Sequence, residues 1–108
     1  MDAVLQALAD PSRRTVLETL RDHPATVNEL AAALPIARPG VSRHLRVLRE
    51  AGLVEVEQQA QWRIYRLRSE PLVDVDSWLW EHRLDALHTE IARGKRQTRR
   101  AQQEGTAL

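Results

Sequence analysis

The stretch ARPGVSRHLRVLREAGLV, residues 37–54, decides how this chain is read. Wound as a helix, it sets Val41, Leu45 and Leu48 at i, i+4 and i+7, one apolar stripe. Ser42, Arg43, Arg46 and Arg49 fall off that stripe, so one outward edge is basic. Pro39 suits the opening turn, and Ala51-Gly52 stops the helix before the apolar pair Leu53-Val54. A basic edge of this kind is either a solvated face or the face of a helix that enters the major groove of DNA.

The sequence on either side bears on that choice. Thr26-Val27-Asn28-Glu29 has the form of a capping box, Thr at N-cap and Glu three residues on, and predicts a helix over Val27 to Ala33 with Val27, Leu30 and Ala31 inward. Pro35 closes it. Only Ile36-Ala37-Arg38 then remain before Pro39, the spacing of a helix-turn-helix. Further upstream, Val4, Leu5 and Leu8 predict a short first helix. Asp10-Pro11-Ser12 starts a second, with Asp10 at N-cap, Pro11 at the first helical position and Val16, Leu17 and Leu20 as its buried stripe, before His23-Pro24 ends it.

Beyond Gly52 the period shortens to that of strands: Leu53 to Glu57 and Trp62 to Leu67, with Gln58 to Gln61 between them. That connection lacks Gly and Asn, so a tight two-residue hairpin is not expected. Ser69-Glu70-Pro71 opens a last helix whose apolar positions are Leu72, Val75, Leu79, Trp80, Leu84, Leu87 and Ile91, with Trp78 beside them. Gly94 marks the expected end of order. The order α-α-α-α-β-β-α is mainly helical with a small β-hairpin: a winged helix-turn-helix with an extra helix at each end. Residues 1–93 are expected to form one DNA-binding and dimerisation domain, and 94–108 a disordered basic and polar tail.

Composition agrees with that organisation. A chain of 108 residues is one domain by size, and with three Trp, one Tyr and no Phe its core must be built mainly from Leu, Val and Ala. The net charge is only +1, but Arg38 to Arg49 holds four Arg and no acid, and Arg93 to Arg100 holds five Lys or Arg and no acid. Local sign governs nucleic-acid binding more than the total does. The absence of cysteine excludes disulfides, thiolate nucleophiles and thiolate metal sites. There is no Gly-rich phosphate loop and no nucleophile elbow, and the four His are scattered, so an enzyme is not expected. With no signal-like opening and no apolar run of spanning length, a cytoplasmic protein is the expectation.

The motifs ALADPSRRTVLETL, VNELAAAL, VSRHLRVLREAGLV and IYRL, read together, resemble the ArsR family of small bacterial transcriptional regulators, closely over Val4 to Leu67 and in pattern only over the closing helix. The resemblance implies a homodimer through the first and last helices and repressor-type binding to a palindromic operator, altered by an effector. Ala37 stands where a capping Ser is common and Gly40 where Ala is common, and the wing tip lacks its usual Gly. The third helix, Glu29 to Leu34, has none of the cysteines that thiol-sensing members carry there.

On a DNA-reading helix, Ser42 and Arg43 are the candidates for base contact, and Arg38 and Arg46 are shared between bases and phosphates, since an Arg fork can bond guanine bidentately. Pro39 sits with them at the helix start. Arg13, in the Ser12 to Arg14 segment, and Arg63 on the wing are phosphate or minor-groove candidates. His44 lies beside the apolar stripe and is equally a packing residue. For an isologous two-fold interface the candidates are Val4, Leu5 and Leu8 with Leu72, Val75, Trp78, Leu79, Leu84, Leu87 and Ile91. His82, Asp85 and His88 are the one set with any metal-ligand character, suited to nickel or zinc. His82 and His88 are six apart and diverge, so a complete site would need a second chain, and ordinary surface residues are the simpler reading. Sensing by a partner protein docked on the dimer or tail, control by concentration alone, and a winged helix used only for protein contact are the alternatives. The last would favour apolar or mixed residues where Ser42, Arg43 and Arg46 stand.

Overall fold

Asp10 sets the frame of the helical layer. In the computed structural model, which describes residues 1–83, its carboxylate accepts from the backbone N–H of Ser12 at 2.7 Å and of Arg13 at 3.3 Å, so the chain leaves α1 (Asp2–Leu8) and at once begins α2 (Pro11–Asp22). The capping box at the next start is complete. Thr26 N–H donates to Glu29 Oε1 at 3.0 Å and Glu29 N–H to Thr26 Oγ1 at 3.2 Å, opening α3 (Val27–Ala33). Helix α4 (Arg38–Glu50) has no side-chain cap, as the Ala at position 37 predicts, and Pro39 lies in its first turn. Gly40 has a local cause: a Cβ there would come within 3.0 Å of Ile36 Cγ2, so the short turn between α3 and α4 packs where a side chain would stand.

The end of α4 is a Schellman motif. Gly52, at φ +77°, donates to Arg49 O at 3.0 Å, and Leu53 N–H donates to Leu48 O at 2.9 Å. The reversal delivers Leu53 and Val54 to the core and starts the wing: β1 (Val54–Gln59) pairs antiparallel with β2 (Trp62–Leu67), register Val54 to Leu67 through Gln59 to Trp62. That register leaves Ala60 and Gln61 as a two-residue turn, against the looser connection expected from the missing Gly and Asn. Ala60 takes the left-handed conformation itself, at φ +54°, and the Gln58 side chain donates to Ala60 O at 2.8 Å. The wing is anchored at its base: Tyr65 N–H donates to Ala25 O at 2.8 Å and Ala25 N–H to Tyr65 O at 3.1 Å.

Residues 1–74 form one compact unit. Its core is Val16, Leu17 and Leu20 of α2, Leu30 of α3, Val41, Leu45 and Leu48 of α4, and Leu53, Val54 and Tyr65 of the wing, with Val4, Ala7 and Ala25 filling the gaps. Each buried Leu or Val contributes roughly 1.5–3 kcal/mol. A second unit starts at Val75, and residues 70–83 are helical (α5). Of the sequence-based expectations, Leu84, Leu87 and Ile91 of the last stripe, Asp85 and His88 of the metal set, and the tail 94–108 with its boundary lie outside the described residues. No helix among the described residues is long and apolar enough to cross a membrane.

The left-handed alanine is a local weakness. Ala60→Gly is expected to raise unfolding stability in urea by about 0.5–1 kcal/mol, because relief of the Cβ clash outweighs the added freedom of the unfolded chain. Gly52→Ala is expected to lower it by about 1 kcal/mol or more.

Candidate nucleic-acid interface

Helix α4 divides sharply. Val41, Leu45 and Leu48 are buried, which fixes the rotation of the helix, and Ser42, Arg43 and Arg46 are consequently exposed together and line one shallow hollow. Among the described residues no carboxylate forms an ion pair with Arg38, Arg43, Arg46 or Arg49. Ser42 also borders a larger cleft of about 420 Å³ between the starts of α3 and α4 and the wing, lined by Thr26, Asn28, Arg38, Trp62, Arg63 and Tyr65 among others. No acidic residue lines that cleft. Arg38 and Arg63, fixed on different elements, therefore share one concave surface with the outer edge of α4. The Arg63 guanidinium carbon lies 6.0 Å from the centre of the Tyr65 ring, so one face of the cation is sheltered by an aromatic ring. Arg38, Pro39, Ser42, Arg43, Arg46 and Arg63 are all exposed.

Arg13 is placed differently from the expectation. Its Nε donates to Ala7 O at 2.7 Å and Nη2 to Gln6 O at 3.0 Å, with Asp10 Oδ2 at 3.5 Å from Nη1. Arg14 Nη1 donates to Leu8 O at 2.7 Å. Two cations thus satisfy the last carbonyls of α1, where the helix dipole favours positive charge. Arg13 holds α1 onto α2, and its side chain is only 18% exposed, so the phosphate role gives way to a structural one. His44 is half-buried, and its Nδ1 is buried with no hydrogen-bond partner among the described residues.

The caps carry electrostatic signatures. Partial burial would raise the Asp10 carboxyl, but the N–H groups of Ser12 and Arg13 and the nearby Arg13 and His44 side chains outweigh it and hold it below its ordinary value. Glu29 is also lowered, first by the Thr26 backbone N–H and then by the Thr26 hydroxyl.

The candidate dimer residues separate into two groups. Val4 is buried in the core, so it packs within the subunit rather than presenting an interface. Leu5 is exposed, while half-buried Leu8 and Leu72 join Leu17 and Leu67 around an apolar hollow of about 240 Å³ rimmed by Arg14, Glu18 and Arg21. On α5, Trp78, Leu79 and Trp80 stand exposed. His82 stacks on Trp78 with ring centres 4.1 Å apart, and its Nδ1 lies 2.9 Å from Trp78 O, so that among the described residues only Nε2 of this ring is without a hydrogen-bond partner. Among the described residues no three His, Asp or Glu side chains come together as a metal site.

Residues 8–57, from the end of α1 to the wing, match the family model for a helix-turn-helix domain. The chain is 47% identical over 66 residues to the HTH-type transcriptional regulator Rv2034 of Mycobacterium tuberculosis, covering 61% of this chain and 62% of that protein, which is less than two thirds of its length. It is 30% identical over 79 residues to the transcriptional repressor SdpR of Bacillus subtilis, covering 73% of this chain and 88% of the repressor. The crystal structure of an ArsR family transcriptional regulator superposes with a TM-score of 0.70 at 38% identity, over 76% of this chain and 90% of that one. The chain belongs to the ArsR family. None of these three relatives is an enzyme, in agreement with the exclusion made from the sequence. Among the described residues the order is four helices, a two-stranded wing and a further helix from residue 70, the winged helix-turn-helix order.

The sequence reading did not single out Trp62 or Ala25. Trp62 is half-exposed at the mouth of the cleft, and its position after a two-residue turn was hidden by the turn's unusual chemistry.

Two outcomes follow for the caps. Asp10 and Glu29 have folded-state pKa values below their unfolded ones, so their contribution is fully present above the unfolded values near pH 4 and is lost as pH falls through the lower folded values. A variant combining Asp10→Asn with Glu29→Gln is therefore expected to show a flatter stability–pH curve than the wild type between about pH 5 and pH 2, followed by circular dichroism. Arg13→Ala is expected to cost about 1–3 kcal/mol in urea unfolding through the loss of its charge-assisted bonds to α1.

Proposed function

We propose that this ArsR-family chain regulates transcription by binding double-stranded operator DNA as a homodimer, with α4 lying in the major groove. The carrying observation is the division of α4: its apolar stripe is sealed into the core, and Ser42, Arg43 and Arg46 are presented on the opposite face with no acid among the described residues paired to them. A helix so fixed cannot roll in the groove, and that is what base reading requires. Ser42 and Arg43 are assigned to base edges. Arg38 and Arg46 are shared between bases and phosphates, and Arg63 takes the backbone beside the wing. A protein-docking winged helix would gain nothing from so many unpaired cations on one side.

Dimerisation is supported by the exposed Leu5, Trp78 and Leu79, which are large apolar groups on the two terminal elements. A two-fold partner would place two copies of α4 about 34 Å apart, matching a palindromic operator in the cytoplasm. Binding would be altered by a small molecule or a partner protein. Direct nickel or zinc sensing through His82 is the weaker reading, since among the described residues no three His, Asp or Glu side chains come together as a metal site.

Operator affinity is expected to fall steeply with salt. Arg43→Ala should cost about 1–3 kcal/mol and relax preference at one base position, while Arg46→Ala should weaken all sequences more evenly and reduce the salt slope by about 1. Leu79→Glu should give a monomer by sedimentation and lose most of the affinity for a two-half-site duplex. A duplex affinity indifferent to salt and to Arg43 would overturn the assignment.

A further inference from the structure

We infer that Trp62 enters the minor groove beside each half-site and makes binding depend on the deformability of base steps that α4 never touches. This rests on the DNA reading above and goes beyond it, because it gives the wing a part in sequence preference rather than in affinity alone. Trp62 is 51% exposed, on the first residue after the turn, where a strand ordinarily carries polar side chains. Among the described residues no other ring stacks on it and no guanidinium covers it. An exposed indole offers a large flat apolar face with a polar N–H edge, the kind of side chain enriched at interfaces.

The surroundings say which partner. Trp62 lines the cleft together with Arg38 and Arg63, and among the described residues no carboxylate lines it. The occupant it suits is a polyanion with apolar sides, and the sugar-phosphate strand of a duplex has that character. The wing has the needed reach. Its six-residue strands extend about 20 Å at about 3.3 Å per residue, comparable to the half-turn of duplex between a major groove filled by α4 and the next minor groove. The two-residue turn at Ala60-Gln61 makes a narrow tip, suited to a groove about 6 Å wide. There the two cations would pair with phosphates on the strand passing through the cleft, and the indole would lie against deoxyribose or wedge at a base step. Pyrimidine–purine steps open most readily, so they are the ones a flat apolar wedge would select.

The test selects binding duplexes from a randomised library with the full-length wild type, with Trp62→Ala and with Trp62→Arg, after a thermal melt has shown that the variants fold. The wild type is expected to enrich flexible steps on the flanks of its half-sites. Trp62→Ala should keep the half-site core, lose the flank preference and bind the selected duplex roughly tenfold more weakly. Trp62→Arg should recover affinity at low salt without recovering the preference for flexible steps, since a cation reads groove width and charge rather than unstacking. Unchanged flanks with affinity within about twofold in Trp62→Ala would overturn the inference and leave the DNA reading standing, as would a uniform loss of affinity with the flank preference intact. A wild type that enriches no sequence would overturn both. If Trp62→Ala instead changes the sedimentation of the free protein, the indole is covered by a second copy and the inference fails.

Discussion

The direction of the wing, and with it the placement of Trp62 and Arg63 beside α4, is set by two backbone hydrogen bonds, those exchanged between Ala25 and Tyr65. A two-stranded hairpin alone is marginal in water, and the wing has only two strands. Its pairing with the extended residue before the α3 cap gives β2 a second neighbour and gives the wing a fixed direction. Ala25 is only 1% exposed, so a larger side chain there would push the two elements apart. Thr26, the next residue, caps α3 and lines the cleft. The same short segment thus ends the α2 connection, starts α3 and ties down the wing, and a change there would displace Arg63 and Arg38 relative to one another.

The arginines show how a nearly neutral chain can present a basic surface. Arg13 and Arg14 are spent on the carbonyls that end α1, Arg66 on Glu57, and Arg68 on Glu55 and Glu70. Arg38, Arg43, Arg46 and Arg63 have no such partner among the described residues, and they are the ones on the reading edge and the wing. Surface ion pairs of the Arg66 kind contribute little to stability. Their larger effect here is to neutralise the base of the wing, so that positive potential is concentrated where α4 and the cleft meet the solvent.

What was legible in the sequence was local. Asp10 before Pro11, Thr26 with Glu29, and Gly52 after Glu50 each act within one turn of helix, so each could be read from a handful of neighbours, and the apolar period of α4 fixed its buried face. Val4 and Leu5 could not be separated in the same way: both are apolar, and only packing against α2 and α4 turns one inward. Arg13 could not be read either, because in the sequence a cation aimed at the end of another helix looks like a cation aimed at a phosphate. The hairpin turn escaped for a different reason. Ala60 accepts a left-handed conformation that its own preference opposes, and tertiary fixation of both strands, through Val54 in the core and Tyr65 at Ala25, offsets that cost.

The exposed apolar groups bear on the proposed second subunit. At 100° per residue, Leu72, Val75 and Leu79 span an arc of about 60° on α5, while Trp78, Trp80 and Val73 lie roughly 90°, 110° and 130° from its centre. The chain therefore carries more apolar surface on that helix than one stripe packed within a single small domain would use, and it keeps Leu5 of α1 exposed as well. Burying such a surface against its own symmetry mate removes it from water without requiring any new sequence, since each residue answers to the same patch on the other copy. The same operation repeats the reading edge. One α4 reaches only a few base pairs, so a monomer would discriminate poorly among the competing sites of a genome, whereas two edges held at a fixed spacing bind as one event.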